Sequence, residues 1–378
     1  MKLVIVVTHL LGTGHLSRAL TLGRAFASAG HEVTVASGGM PAPQLDAQGV
    51  GLVQLPPLRS DGTDFARLLD DRGFLADSTL HEARRNQLTA CIRAIQPDAV
   101  MTELFPFGRR SLSQEFLAAL DTVRNLPRRP LVVSSIRDIL APPSKPAKAE
   151  RADEIIAEHY HAVLVHSDPS ATPLELSWPV SDRLEPRLRY TGYVAPPYAR
   201  PDPDGPGQGE IIVSAGGGAV GTPIFQVALD AAEATPEMRW RLLVGGNDAM
   251  DRISALASKG FPPNAFIEPA RPDFRALLGR AAASVSMCGY NTAIDILQAG
   301  TPAVFVPFDD GQEVEQGLRA RALAALPAVQ VVRTSELTAH AIASAVRSVA
   351  REGPRETGDF AFDGAARSVS ILQELLEK

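Results

Sequence analysis

The first apolar positions form an unbroken run, Leu3–Val7, with no polar alternation. A strand covered on both faces reads this way. From Leu16 to Ala29 the apolar spacing becomes helical and stops at Gly30, a residue that closes helices in the left-handed conformation. A second strand is predicted at Glu32–Ala36, and others at Ala99–Thr102, Leu131–Ser135 and Ala162–His166, with helical segments between them. Strands alternating with helices predict a parallel sheet with right-handed crossovers.

Near residue 200 the pattern breaks. Pro196, Pro197, Pro201, Pro203 and Pro206 stand among Gly205, Gly207 and Gly209, as in a linker. The alternation then restarts with a strand at Glu210–Ser214, a loop at Gly216–Gly221 and a helix at Thr222–Ala234. Further strands are predicted at Trp240–Val244, Ala283–Met287 and Ala303–Val306, and a last helix at Asp363 to Leu376 with no strand after it. The expected organisation is an N-terminal Rossmann-like domain over 1–196, a Pro/Gly linker over 197–209 and a C-terminal Rossmann-like domain over 210–378. The last helix is free to pack back on the N-terminal domain. Two such parallel-sheet α/β domains would face a cleft, with ligands outside the carboxyl ends of the strands.

The 378 residues agree with two cores. A net charge of −6 gives no reason to expect nucleic acid. Two cysteines, Cys91 and Cys288, make neither a disulfide framework nor a metal cluster, and each reads as a small buried hydrophobe. The N-terminal apolar run is too short for a signal peptide, and no stretch approaches the ~20 apolar residues of a membrane span. The expected setting is the cytoplasm, with room for a contact at the inner face of the membrane.

The loops carry the chemistry. Gly12-Thr13-Gly14-His15-Leu16-Ser17 approaches the dinucleotide fingerprint, but Ser17 replaces its third glycine and Val35-Ala36-Ser37-Gly38 offers no acid for a ribose. That argues against NAD. His15 instead sits where the first helix begins, at the carboxyl edge of the sheet. The positive helix end favours its neutral form, which suits a general base, although a histidine there can also simply tie down the loop. Glu103 ends another strand at the same edge and can accept the other ring N–H of His15, or stand as a solvated loop acid. Gly14, Arg137 and Asp138 share that edge as candidates for acceptor or phosphate contacts.

In the C-terminal half, Ser214, Gly216, Gly217, Gly218 and Gly221 lie between a strand and a helix, where backbone N–H groups and a helix N-terminus can hold a diphosphate. Thr222 can cap that helix and Pro223 suits its first turn. No Gly-Lys-Ser/Thr follows, so this is not a Walker loop. Gly289, Tyr290, Asn291 and Thr292 open a second such helix, and Asp295 one turn in can accept from both ribose hydroxyls or serve only as a first-turn acid. Acids and amides from Asp309 to Gln316, ahead of a helix predicted over Gly317–Ala325, suit sugar hydroxyls, which need donors and acceptors, or form a solvated loop.

Thr102-Glu103-Leu104-Phe105-Pro106-Phe107-Gly108-Arg109, Tyr190-Thr191-Gly192-Tyr193-Val194, the Ser214–Gly221 loop and the stretch from Ser284 to Ala322 together resemble GT-B glycosyltransferases of the family 28 type. They resemble in particular a bacterial group of predicted glycosyltransferases. The resemblance implies two Rossmann-like domains, the first binding acceptor and the second nucleotide sugar. It implies an inverting transfer of a hexose-type sugar from a UDP-sugar to an acceptor hydroxyl on a lipid, glycan or small molecule, with no obligatory metal or cofactor. His15 matches the histidine that ends the family's glycine-rich loop, which in the related plant enzymes is the base, and Glu103 lies in the place of the acid, usually Asp, that orients it. Asp295 stands where the family usually has Glu, and Glu315-Gln316 where a Gln-Gln or Asp-Gln pair touches the donor sugar. Ile267 and Arg271 match the uracil site by position. A UDP-sugar 2-epimerase of the same architecture, or a non-catalytic sugar-nucleotide-binding partner of another transferase, would share much of this pattern. Arg109-Arg110 and Arg128-Arg129, with Phe105 and Phe107, are expected to form either a basic and apolar patch for lipid head groups or ordinary solvated arginines.

Overall fold

The computed structural model describes residues 1–62, 64–203, 205–215, 221–246, 248–258, 260–308, 313–358 and 360–377. The chain divides into two compact units, Met1–Val194 with Ala361–Lys378, and Ala195–Phe360.

The first unit contains strands β1 (Lys2–Val7), β2 (Glu32–Ser37), β3 (Gly51–Gln54), β4 (Arg59–Asp61), β5 (Asp64–Leu69), β6 (Ala99–Glu103), β7 (Leu131–Arg137), β8 (Ala162–His166) and β9 (Leu188–Tyr190). Its helices include α1 (Gly14–Ser28), α2 (Ser78–Ile95), α3 (Ser113–Arg124) and α4 (Pro146–His159). Seven strands form one parallel sheet in the order β3-β2-β1-β6-β7-β8-β9, and β4 and β5 make a separate antiparallel hairpin. Leu3, Ile5 and Val7 pack with Leu16, Leu20 and Phe26 of α1 on one face. Val4 and Val6 pack with Phe105 and Phe116 on the other. Both faces are covered, which is why the first strand reads as an unbroken apolar run.

The second unit repeats the plan with β10 (Glu210–Ser214), β11 (Arg239–Val244), β12 (Ala265–Pro269), β13 (Ala283–Ser286), β14 (Ala303–Phe305) and β15 (Val329–Val331). Its helices are α5 (Thr222–Glu233), α6 (Ala249–Ala257), α7 (Phe274–Leu278), α8 (Tyr290–Ala299), α9 (Glu315–Leu323) and α10 (Ala339–Glu352). The parallel order is β12-β11-β10-β13-β14-β15. In each sheet the chain winds outward both ways from a central pair, β1/β6 in one and β10/β13 in the other. Loops leaving such a pair in opposite directions open a crevice at the carboxyl ends.

The last helix, α11 (Gly364–Leu376), belongs to the first unit. The N–H of Tyr193 donates to the Ala361 carbonyl at 2.8 Å, and that of Gly364 to the Tyr193 carbonyl at 3.0 Å. A Cβ on Gly364 would lie 2.5 Å from the Gly192 carbonyl oxygen, so only glycine allows this approach. Val369, Ile371 and Leu372 then join the apolar cluster around Phe26. Among the described residues no helix is long and apolar enough to cross a membrane.

Three local expectations need correction. Thr222 lies inside α5 and Gly221 occupies the N-cap, where no side chain caps the helix. Helix α9 starts at Glu315 rather than Gly317. Phe105 and Phe107 are buried, stacked on Phe116 at 4.6 Å and edge-on to Trp178 at 5.1 Å, so they contribute nothing to a surface patch.

Candidate functional site

In the first unit the chain leaves β1, turns through Gly12 at φ +63° and enters α1 at Gly14. His15 therefore stands in the first turn, beside the β1/β6 switch point. Glu103, the last residue of β6, is 1% exposed and meets it from the other strand. His15 Nδ1 lies 2.7 Å from Glu103 Oε1. A carboxylate accepts, so Nδ1 carries the proton and Nε2 is left with a lone pair.

The electrostatics favour that tautomer. Burial holds His15 well below the ordinary imidazole value, to about 3; Glu103 opposes this, while Arg109 and Arg137 add to it. Burial works against the charged form of Glu103, but His15, Arg18 and Arg109 outweigh it and keep the carboxyl below the usual range. The resting pair is neutral imidazole and carboxylate.

Arg18, three residues along α1, was not anticipated. Its Nη2 donates to the same Glu103 oxygen, and its side chain is 3% exposed. The signal lay in an arginine three positions after a candidate base, on a helix face otherwise carrying Leu16, Ala19 and Leu22. Beneath it His166 is wedged between Ser135 Oγ at 2.8 Å and Thr191 Oγ1 at 2.9 Å, and burial, reinforced by Arg18, lowers it to about 3. Arg137, at the end of β7, is half-buried. Asp138 is 1% exposed and accepts from the N–H of Ile139 at 2.7 Å, so its carboxylate is engaged in its own turn.

In the second unit Ser214 ends β10 and pairs in register with Ser286 of β13. Both are buried, and neither Oγ has a hydrogen-bond partner among the described residues. Gly216, Gly217 and Gly218 lie outside the described residues. Gly221, where the loop meets α5, has Ala215 pressed against it: a Cβ there would sit 1.8 Å from that of Ala215. Gly289 is the N-cap of α8, Tyr290 is buried, Asn291 exposed and Thr292 half-buried. Two helix N-termini thus flank the β10/β13 switch point, each an anion-binding end.

Asp295 is 14% exposed on the second turn of α8. Burial raises its carboxyl to about 6, against the pull of Arg275, whose Nε donates to Oδ1 at 3.0 Å. The same arginine donates through Nη2 to the Pro197 carbonyl and to Gln298 Oε1, each at 2.7 Å. Ile267 is half-buried on β12. Arg271 turns to both oxygens of Asp273 at 2.8 Å and toward Glu268 at 3.4 Å.

The Glu315-Gln316 pair opens α9. Gln316 Oε1 accepts from the N–H of Phe308 at 3.2 Å, and Glu313 accepts from the Glu315 N–H at 2.8 Å. Asp309, Asp310, Gly311 and Gln312 lie outside the described residues. Arg319, one turn on and 2% exposed, donates to the Cys288 carbonyl at 2.8 Å and lies 5.8 Å from the Tyr290 ring centre. It braces the loop that presents α8, which the sequence did not reveal.

Residues 213–366 match the glycosyltransferase family 28 C-terminal domain. Over 372 residues, 95% of this chain and 92% of the other, the protein is 26% identical to a UDP-N-acetylglucosamine–N-acetylmuramyl-(pentapeptide) pyrophosphoryl-undecaprenol N-acetylglucosamine transferase of Phenylobacterium zucineum. The crystal structure of Acinetobacter baumannii MurG superimposes with a TM-score of 0.65 at 16% identity, covering 99% of this chain and 100% of that one. The calicheamicin glycosyltransferase CalG4 does so with a TM-score of 0.61 at 17% identity, covering 99% and 94%. These structures share the GT-B fold.

Proposed function

We propose, from the premise that this chain is a GT-B glycosyltransferase with a family 28 C-terminal domain, that it moves a hexose-type sugar from a UDP-sugar to an acceptor hydroxyl with inversion. The observation that carries the reading is the His15–Glu103 contact beside a switch point, which leaves Nε2 as a neutral proton acceptor. The acceptor hydroxyl hydrogen-bonds to Nε2. Its oxygen attacks the anomeric carbon from the face opposite the diphosphate, and its proton passes to Nε2. The new C–O bond forms as the bond to the diphosphate breaks, and that electron pair leaves on UDP. Glu103 steadies the imidazolium until it releases the proton to solvent.

In the second unit, Ser214, Gly216, Gly217, Gly218 and Gly221 take the diphosphate, with Gly289 to Thr292 at the facing helix end. Each N-terminus supplies roughly half a positive charge to the leaving group. Asp295 takes the ribose, Ile267 and Arg271 flank the base, and Glu315 and Gln316 meet the sugar. Arg137 and Gly14 border the acceptor. The Phenylobacterium relative is named for a UDP-sugar donor and a lipid-linked acceptor, which supports UDP and a lipid-linked acceptor here.

The test is His15→Ala. Removing a general base lowers turnover about 10²–10⁴-fold. UDP affinity, read by calorimetry, stays unchanged. Transfer that persists at the native rate removes His15 from the base role, and a nucleotide other than UDP released in a donor screen overturns the choice of uracil.

A further inference from the structure

Two donors converge on one carboxylate oxygen in the first unit. Glu103 Oε1 accepts from His15 Nδ1 at 2.7 Å and from Arg18 Nη2, and the two nitrogens stand 3.5 Å apart. Glu103 Oε2 is buried without a hydrogen-bond partner among the described residues. Among the described residues the hydrogen bonding of this carboxylate is thus focused on the oxygen that aims His15. Glu103 and the Arg18 side chain are almost wholly enclosed. A lone buried carboxylate takes up a proton, and a lone buried guanidinium is costly, so each holds the other in its charged form.

We propose that Arg18 is a positioning residue of the transfer reaction: it keeps Glu103 ionised with Oε1 turned to His15, and by neutralising that carboxylate it keeps the imidazole in its proton-accepting form. This rests on the reading of His15 as the base. The charge balance gives the reason. With neutral His15, the Glu103–Arg18 pair sums to zero. Were Arg18 uncharged, an imidazolium would complete a neutral pair with Glu103, and the base would be protonated more easily.

The other charged and titratable groups around Glu103 act in known directions. Arg109, in the loop after β6, and Arg137, at the end of β7, both disfavour the imidazolium. His9, in the loop after β1, is itself lowered by burial. His166 of β8 is lowered by burial and by Arg18, so it adds no positive charge near neutrality.

The test reads the ring directly. In protein labelled at histidine nitrogen, the His15 resonance is assigned by its absence from His15→Gln and titrated in wild type and Arg18→Met. An opposite charge within ~4–6 Å shifts a titration by about one to three pH units. The Arg18→Met midpoint is therefore expected at least about one unit higher, and the acid limb of kcat/KM moves with it. An unmoved His15 midpoint in a folded Arg18→Met protein overturns the proposal. Should that variant fail to fold, Arg18→Gln, which keeps a donor toward Glu103 without the charge, is compared with Arg18→Lys, which keeps the charge. A higher midpoint in Arg18→Gln supports the role, and an equal one overturns it. The midpoint is independent of turnover, so loss of this role and loss of the base assignment by His15→Ala are separate results.

Discussion

At Asp295 two demands meet in one carboxylate. Burial favours its neutral form, and Arg275 favours its charged form. Burial prevails, so the group titrates near 6 rather than near 4. The role proposed for it, accepting from two ribose hydroxyls, calls for the charged form. UDP affinity is therefore expected to hold above neutrality and to weaken as pH falls through about 6. Asp295→Asn should weaken binding about ten-fold or more at pH 7.5 and flatten that dependence, since a hydrogen bond to a charged group contributes ~1.5–3 kcal/mol. Calorimetry between pH 5 and 8 reads both; an unchanged dependence in Asp295→Asn shows that another group titrates. At this scale the His15–Glu103 contact was legible because position on a strand–loop–helix unit restricts what a polar residue can do there. Arg18, Arg275 and Arg319 were not. An arginine has the same sequence appearance whether its guanidinium meets solvent or a carboxylate from a distant strand.

The glycine loops operate at the level of elements. Gly221 has φ −97°, which any residue can adopt. Its constraint is space, because Ala215 lies against it. Gly221→Ala should therefore open the loop, cost about 1–3 kcal/mol of stability in the second unit, and reduce UDP affinity far more than it reduces the fold. Thermal unfolding with and without UDP separates the two effects, and an unchanged UDP-induced shift counts against the loop as the diphosphate cradle. Long central strands such as β1 and β7 were readable because burial on both faces leaves an apolar run. The shorter β3, β9, β12 and β15 were not picked out. They lie toward the sheet edges and span only three to five residues. Phe105 and Phe107 were misplaced for a related reason: next to arginines in sequence, they turn inward under α3.

Across the whole molecule, charge is unequally stored. The first unit buries His9, His15 and His166 in neutral form, all lowered chiefly by burial. In the unfolded chain each takes a proton near 6.5. Between that value and about 3 the unfolded state binds more protons, so stability falls as pH falls, by up to about 1.4 kcal/mol per pH unit for each ring that stays neutral. Glu103, lowered in the fold, loses its contribution lower still. Asp295 acts oppositely in the second unit, where the fold carries the extra proton below about 6. The first unit is thus expected to loosen first between pH 6 and 4. Hydrogen exchange resolved by segment tests this; earlier exchange in the second unit refutes it.

The alternation of apolar runs with helical spacing determined two parallel α/β units, because each pattern has one way of burying its hydrophobic face. Gly12 after β1 determined where a left-handed turn falls, and Gly221 where Ala215 can press against the start of α5. Strand order was a tertiary decision, and it made β6 the neighbour of β1 and so brought Glu103 to His15. The return of α11 to the first unit was another, resting on an approach at Gly364 that only glycine permits. The state of the base belongs there too, since a proton's preference depends on desolvation and on charges brought together from α1, β6 and β7, a sum that periodicity does not encode.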